Sequence, residues 1–231
     1  MKWRSLEESN PGTGTRSLRE ILAERKQRIA QYVPAEIQAV HARVIAELKG
    51  SGITERALPA GARAPEFELN DHNGKPVRST ELLSIGPLVM CFIRGRWDPF
   101  CCGQMEAMNR SLPQIQERGT TLVAISPQTV QQSFFMVDQH KLRFPLFSDA
   151  GNQVARKLGL VYRVPEDQQE IYRRVFINLP FINGDESWEL PIPATYIIAQ
   201  DGAVLYKWAN PDYTERPEPA DVIETLISVA T

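Results

Sequence analysis

The sequence predicts an α/β fold, a mixed β-sheet with flanking helices and an N-terminal helical extension. Three observations predict it. Two apolar runs, 87–93 and 121–126, are separated by a long amphipathic stretch, which makes a right-handed βαβ unit with parallel strands. Two later apolar runs flank Gln200-Asp201-Gly202, a turn signal that makes them antiparallel. Ahead of both, residues 17–50 place their apolar side chains at helical spacing.

Each element has a local reason. Ser17-Leu18-Arg19-Glu20 has capping-box form and opens a helix with Leu18, Ile21, Leu22, Ile29, Tyr32 and Val33 on its apolar face. Pro34 starts a second helix carrying Ile37, Val40, Val44 and Leu48, which Gly50-Ser51-Gly52 ends. The chain therefore divides into a flexible lead over 1–16, a helical hairpin over 17–57 and a main domain over 58–231. The hairpin packs on the main domain, on a partner or on a second copy as a homodimer; spacing alone does not choose.

In the main domain, residues 64–69 alternate as a strand. Asp71-His72-Asn73-Gly74-Lys75 turns it back, and a short helix covers 79–83. After the 87–93 strand, Asp98-Pro99 reads as a helix start, with Asp as N-cap and Pro in the first position. Met105, Met108, Leu112 and Ile115 carry that helix, and Gly119 ends it. A helix over 129–140 follows the 121–126 strand. Residues 144–149 form a short strand or turn, and 151–158 a helix. The stretch 162–192 holds a polar helical segment from Pro165 to Arg174 and a loop at Asn183-Gly184-Asp185, without a clear order. Glu218-Pro219 opens a last helix with Val222, Ile223 and Leu226.

Composition excludes several function classes. The 231 residues carry 26 basic and 28 acidic side chains, a net charge of −2, so neither nucleic acid nor an anionic membrane is an expected partner. No window approaches a membrane span, and the first residues form no apolar leader. Three cysteines are too few for a secreted disulfide framework, so a cytoplasmic location is expected. His41, His72 and His140 lack metal-ligand spacing with the cysteines; no metal and no other cofactor is expected.

Cys101 is the residue to which chemistry points. It falls in the first helical turn after a buried strand, where free N–H groups and the helix dipole favour a thiolate. Thiolate is the nucleophilic form, so an exposed, low-pKa Cys101 is the expected nucleophile. Arg94 and Arg96 stand nearby in sequence to favour the thiolate or polarise a substrate. Asp98 caps the helix and, if protonated, donates to the substrate. Cys102 is a possible resolving thiol, but adjacent Cα atoms lie about 3.8 Å apart, below the roughly 4.4–6.8 Å of ordinary disulfides. Trp97, Pro99 and Phe100 line a pocket or pack beneath the helix. Cys91, mid-strand, belongs to the core.

These residues together resemble the thioredoxin superfamily, and within it the peroxiredoxin-like branch of the alkyl hydroperoxide reductase/thiol-specific antioxidant family. Gly61-Ala62-Arg63-Ala64-Pro65-Glu66-Phe67-Glu68-Leu69 looks like the family's opening G-x-x-A-P-x-F-x-L. Residues 92–101 look like its F-x-R-G-x-W-C-P-Y-C segment. Pro191-Ile192-Pro193-Ala194-Thr195-Tyr196 and Asp212-Tyr213-Thr214 look like its closing hairpin and D-Y-T segment. The resemblance implies a thioredoxin-like mixed sheet, with a cis Ile192–Pro193 bond shaping the pocket beside Cys101.

Two departures stand out. Asp98 replaces the first cysteine of C-x-x-C, and equally the Thr or Ser that peroxiredoxins hold three residues before their reactive cysteine. The arginine those enzymes set near the thiolate, just before the late hairpin, has no counterpart, because Pro193 stands there. The leading expectation is a thiol peroxidase: Cys101 attacks a hydroperoxide, and thioredoxin, glutathione or another external thiol regenerates it. The alternatives are thiol–disulfide exchange at Cys101 and a non-catalytic redox-sensing or interaction module on the same scaffold. A thiol pKa near or below 7 favours chemistry; a raised one favours the scaffold.

Overall fold

The computed structural model describes residues 16–228; of the expected lead, 1–15 lie outside the described residues. The helices are α1 (Leu18–Tyr32), α2 (Ala35–Gly50), α3 (Ile53–Arg56), α4 (Ser79–Ile85), α5 (Pro99–Gln116), α6 (Val130–His140), α7 (Gln153–Lys157), α8 (Glu166–Arg174), α9 (Leu179–Asn183) and α10 (Pro219–Ser228). The strands are β1 (Glu68–Asn70), β2 (Pro76–Arg78), β3 (Leu88–Phe92), β4 (Thr121–Ser126), β5 (Leu146–Ser148), β6 (Val161–Arg163), β7 (Glu189–Pro191), β8 (Ala194–Ile198) and β9 (Val204–Ala209).

Seven strands form one mixed sheet in the order β2-β1-β5-β4-β3-β8-β9. β3, β4 and β5 are parallel, and β8 runs antiparallel to β3 with Phe92 opposite Ala194. Every residue of β3 is buried, as expected for a central strand covered on both faces. Its side chains divide between two cores. Val89 and Cys91 pack with Met105, Met108 and Ile115 of α5 and Val222 of α10. Leu88, Met90 and Phe92 pack on the other face with Phe147, Leu158 and Tyr196.

Four readings are corrected. The alternating stretch 64–69 is strand only from Glu68, because Arg63 bridges Ala203 and Ala64 bonds to Gly202, which draws the earlier residues to the hairpin. The helix expected over 151–158 is a 3-10 turn at Ala150–Asn152 followed by α7, since Gly151 and Asn152 both take positive φ. Within 162–192 the helical segment expected from Pro165 to Arg174 is α8, but the rest is not an unordered loop: it holds α9 and a two-stranded sheet of β6 and β7, too short and non-local to show as periodicity. The Ile192–Pro193 bond is trans; no cis peptide exists among the described residues. Extended backbone runs from β7 into β8 there, anchored by Ile192 N–H to Leu160 O at 2.8 Å and Asn210 N–H to Pro193 O at 3.1 Å.

The first two helices lie on the main body. Leu18 and Leu22 of α1 pack with Phe100 and Ala107 of α5. Gly103 leaves the space that Arg25 and Leu22 fill, and Arg25 donates to the Pro99 carbonyl. The Glu218 carboxylate accepts from the N–H groups of Leu18 at 3.0 Å and Arg19 at 2.6 Å, satisfying two orphan donors at the start of α1. On α2, His41 bonds Gln168 of α8 at 2.8 Å.

Candidate active site

The site forms where β3 ends and α5 begins. Gly95, at φ +141°, turns the chain and leaves room for the Trp97 indole against it. Asp98 is the N-cap of α5: its Oδ1 accepts from Phe100 N–H at 3.0 Å, and Pro99 takes the first helical position. Cys101 follows one turn in, directly beneath the cap.

Three groups converge on the sulfur. Cys101 Sγ donates to Asp98 Oδ2 at 2.9 Å. It accepts from Arg216 Nη2 at 3.1 Å and from the Arg94 backbone N–H at 3.4 Å. Asp98 Oδ2 also faces Arg94 Nε at 3.0 Å and Arg216 Nη2 at 3.7 Å. One thiol, one carboxylate and two guanidinium groups thus form a single buried cluster. Two cations share one carboxylate; the carbonyls of Tyr213 and Glu215 and the rings of Tyr213 and Trp97 help the cluster to tolerate burial.

Arg216 is the residue that sequence reasoning missed. It follows the late hairpin instead of preceding it, so motif alignment leaves it unassigned. Gln104 Oε1 accepts from Arg216 Nε at 2.7 Å, and the carbonyls of Tyr213 and Glu215 accept from Nη1. Gln104 is itself held by Thr195 Oγ1 at 3.3 Å. The Asp212-Tyr213-Thr214 segment gains a role here. Tyr213 lies under the Arg94 guanidinium at 3.9 Å while its carbonyl orients Arg216.

The other candidate residues are distributed differently. Arg94 joins the cluster, stacked between Tyr213 and Trp97, the latter at 4.6 Å. Arg96 points away, donating to Gln132 Oε1 at 3.1 Å. Cys102 Sγ donates to Arg96 O at 3.3 Å, so the two adjacent thiols face different partners. Trp97 packs on Tyr172, and Phe100 on α1 and Tyr213. Pro99 is exposed at the helix start. Pro193 lies next to Ala194, which pairs with the last residue of β3.

The expectation of an exposed, acidic thiol is overturned. Cys101 is 0% exposed. Burial pushes its pKa up to about 11; the Asp98 charge adds to the rise, and Arg216 and Arg94 oppose it. The helix N-terminus does not prevail, because its own cap places a carboxylate on the sulfur. Burial also raises Cys91, to about 12, and Cys102. Among the described residues, no group of three or more His, Cys, Asp or Glu is placed to hold a metal ion. No helix among them is long and apolar enough to cross a membrane.

Residues 60–207 match the model of the AhpC/TSA family. The chain belongs to this family. Chloroplastic peroxiredoxin Q of Sedum lineare is 29% identical over 150 residues, 65% of this chain and 68% of that protein. The Arabidopsis thaliana peroxiredoxin Q is 26% identical over 159 residues, 69% of this chain and 63% of that protein. In structure, peroxidoxin BcpB of Mycobacterium tuberculosis superimposes with a TM-score of 0.60 at 22% identity, covering 75% of this chain and 99% of that one. The likeness establishes the thioredoxin-like fold of the AhpC/TSA protein described here. Both α1 and Arg216 fall outside residues 60–207, the segment matched to the family model.

Proposed function

We propose that this AhpC/TSA protein is a thiol peroxidase in which Cys101 is the nucleophile. The observation that carries this reading is the convergence of Asp98 Oδ2 and Arg216 Nη2 on Cys101 Sγ, at 2.9 and 3.1 Å. A raised pKa alone favours an inert scaffold. Here, though, the buried thiol has a base already hydrogen-bonded to its proton and a cation on its lone pairs. Asp98 takes the proton as the sulfur attacks, so a free thiolate need not accumulate.

Cys101 sulfur attacks one peroxide oxygen of R–O–O–H, an S–O bond forms and the O–O bond breaks. The sulfur loses two electrons and becomes sulfenic acid. The departing alkoxide receives the proton that Asp98 held and leaves as alcohol. Arg216 stabilises negative charge as it moves from sulfur to oxygen. Asp98 stands at the position of the Thr or Ser of related enzymes, and in this scheme it adds a base there. Cys102 faces Arg96 O, so an external thiol resolves the sulfenic acid.

Stopped-flow oxidation of the reduced protein by hydrogen peroxide and by cumene hydroperoxide tests the reading. Consumption well above that of a free thiol, lost in Cys101→Ser and kept in Cys102→Ser, is expected. A wild-type rate no faster than free cysteine sinks it.

A further inference from the structure

A groove of about 440 Å³ opens behind Arg216, between α1 on one side and β9 with the start of α10 on the other. Its volume falls in the range of small-molecule sites, about 300–1,000 Å³, far more than a peroxide O–O group needs. Leu22, Tyr206 and Trp208 give it apolar walls. Charges of both signs line it: Arg19 and Lys26 from α1, Glu215 from the loop after β9, where it accepts from Asn210, and Asp221 from α10. Among the described residues, neither the Arg19 guanidinium nor the Asp221 carboxylate has an ion-pair partner. The first stands on α1 and the second on α10.

The groove also has a chemical address. Arg216 lines it, and its fully buried side chain runs inward to donate to Cys101 Sγ at 3.1 Å. An occupant is therefore one side chain away from the sulfur. Apart from Tyr206, every lining residue lies outside residues 60–207, so the segment matched to the family contributes little of this groove.

We infer that this groove binds a small zwitterionic thiol of the glutathione kind, which resolves the oxidised Cys101. The inference rests on the peroxidase reading of the site. Three observations converge on it. No second cysteine is placed to resolve Cys101, since Cys102 faces Arg96 O and Cys91 is buried in β3 beneath Thr195. Arg19 and Lys26 match the carboxylates, and Asp221 the ammonium, of an amino-acid-like ligand. The aromatic walls accommodate its backbone. A simple alkyl hydroperoxide matches the apolar wall but leaves both charges unanswered.

The chemistry is balanced by two thiols. The first attacks the Cys101 sulfenic sulfur, an S–S bond forms, the S–O bond breaks, and hydroxide leaves with the thiol proton as water. The second attacks the ligand sulfur of that mixed disulfide, releasing the symmetrical disulfide and returning Cys101 as thiol. For the first attack, the Arg216 guanidinium swings off the sulfur.

The test uses S-methylglutathione, which keeps the charges but cannot react, titrated into the reduced full chain by calorimetry. Saturable binding with a Kd of about 1 mM or tighter is expected. Arg19→Glu and Asp221→Lys, both at exposed positions, should each weaken it about three- to fivefold, the value of one solvent-facing charge contact. In turnover, Lys26→Glu should lower the preference for glutathione over uncharged dithiothreitol by a similar factor. No saturation, or binding indifferent to both charge reversals, overturns the inference. Displacement of S-methylglutathione by cumene hydroperoxide also overturns it and makes the groove a peroxide site. If peroxide fails to oxidise Cys101, the peroxidase reading falls, while the titration still decides what the groove binds.

Discussion

Arg216 Nη2 lies 3.1 Å from Cys101 Sγ across 115 residues of sequence. The contact joins the loop after β9 to the first turn of α5, and Gln104 sets its angle by holding Arg216 Nε. The cation that the late hairpin lacks at Pro193 is supplied from behind it.

Arg216→Met keeps much of the side-chain volume and removes the charge. The expected outcome is a loss of about 10²-fold or more in the second-order rate of Cys101 oxidation, as for removal of one preorganised donor. Gln104→Leu frees Arg216 without deleting it, so a smaller loss is expected, with the pH profile retained. Stopped-flow oxidation across pH measures both. Equal rates in wild type and Arg216→Met would remove Arg216 from the mechanism.

Asp98→Asn separates two effects of one carboxylate. Its charge and its hydrogen bond both raise the Cys101 pKa, so Asn lowers that pKa. It also deletes the base. The expected outcome is a thiol that alkylates faster with iodoacetamide at neutral pH yet reduces peroxide about 10²-fold more slowly. Faster reaction in both assays would make Asp98 a helix cap and nothing more.

What the sequence showed of this site follows from the range of the interactions. Asp98, Pro99 and Cys101 are neighbours, and capping rules place them on one helical turn. The βαβ unit and the late hairpin are likewise local patterns, legible as apolar runs and turn residues. Arg216 and Gln104 meet only through the tertiary fold, and no spacing rule joins them. The thiol pKa departs from the local expectation for a related reason. The helix dipole is a local inference, whereas burial of Cys101 among β3, α10 and Arg216 is global.

Cys101 titrates more weakly folded than unfolded, which fixes the sign of a stability change. Its folded pKa is about 11, against an ordinary value of 9.0. A raised folded pKa favours the native state below the unfolded value, and that contribution is lost as pH climbs toward the folded one. Stability to urea should therefore fall between about pH 9 and 11. Each such group contributes about 1.4 kcal/mol per pH unit within that window. Cys101→Ser should flatten the slope by that amount, leaving the Cys91 and Cys102 contributions, which share the direction. An unchanged slope would mean that Cys101 is solvated in the native state.

Glu218 ties α1 to α10 by accepting from the Leu18 and Arg19 N–H groups. The partial positive charge at a helix N-terminus strengthens such contacts. Glu218→Ala leaves both donors unsatisfied and should cost about 1 kcal/mol, typical of a lost cap. The cost falls on α1, whose Leu22 and Arg25 cover the turn of α5 that carries Cys101. Local opening of α1 should then become more frequent, by about fivefold for that energy. Amide exchange over residues 18–32 and iodoacetamide labelling of Cys101 should accelerate together. Faster exchange without faster labelling would show that Arg216 and Phe100 alone keep the sulfur from solvent, and that α1 builds the groove wall without closing the site.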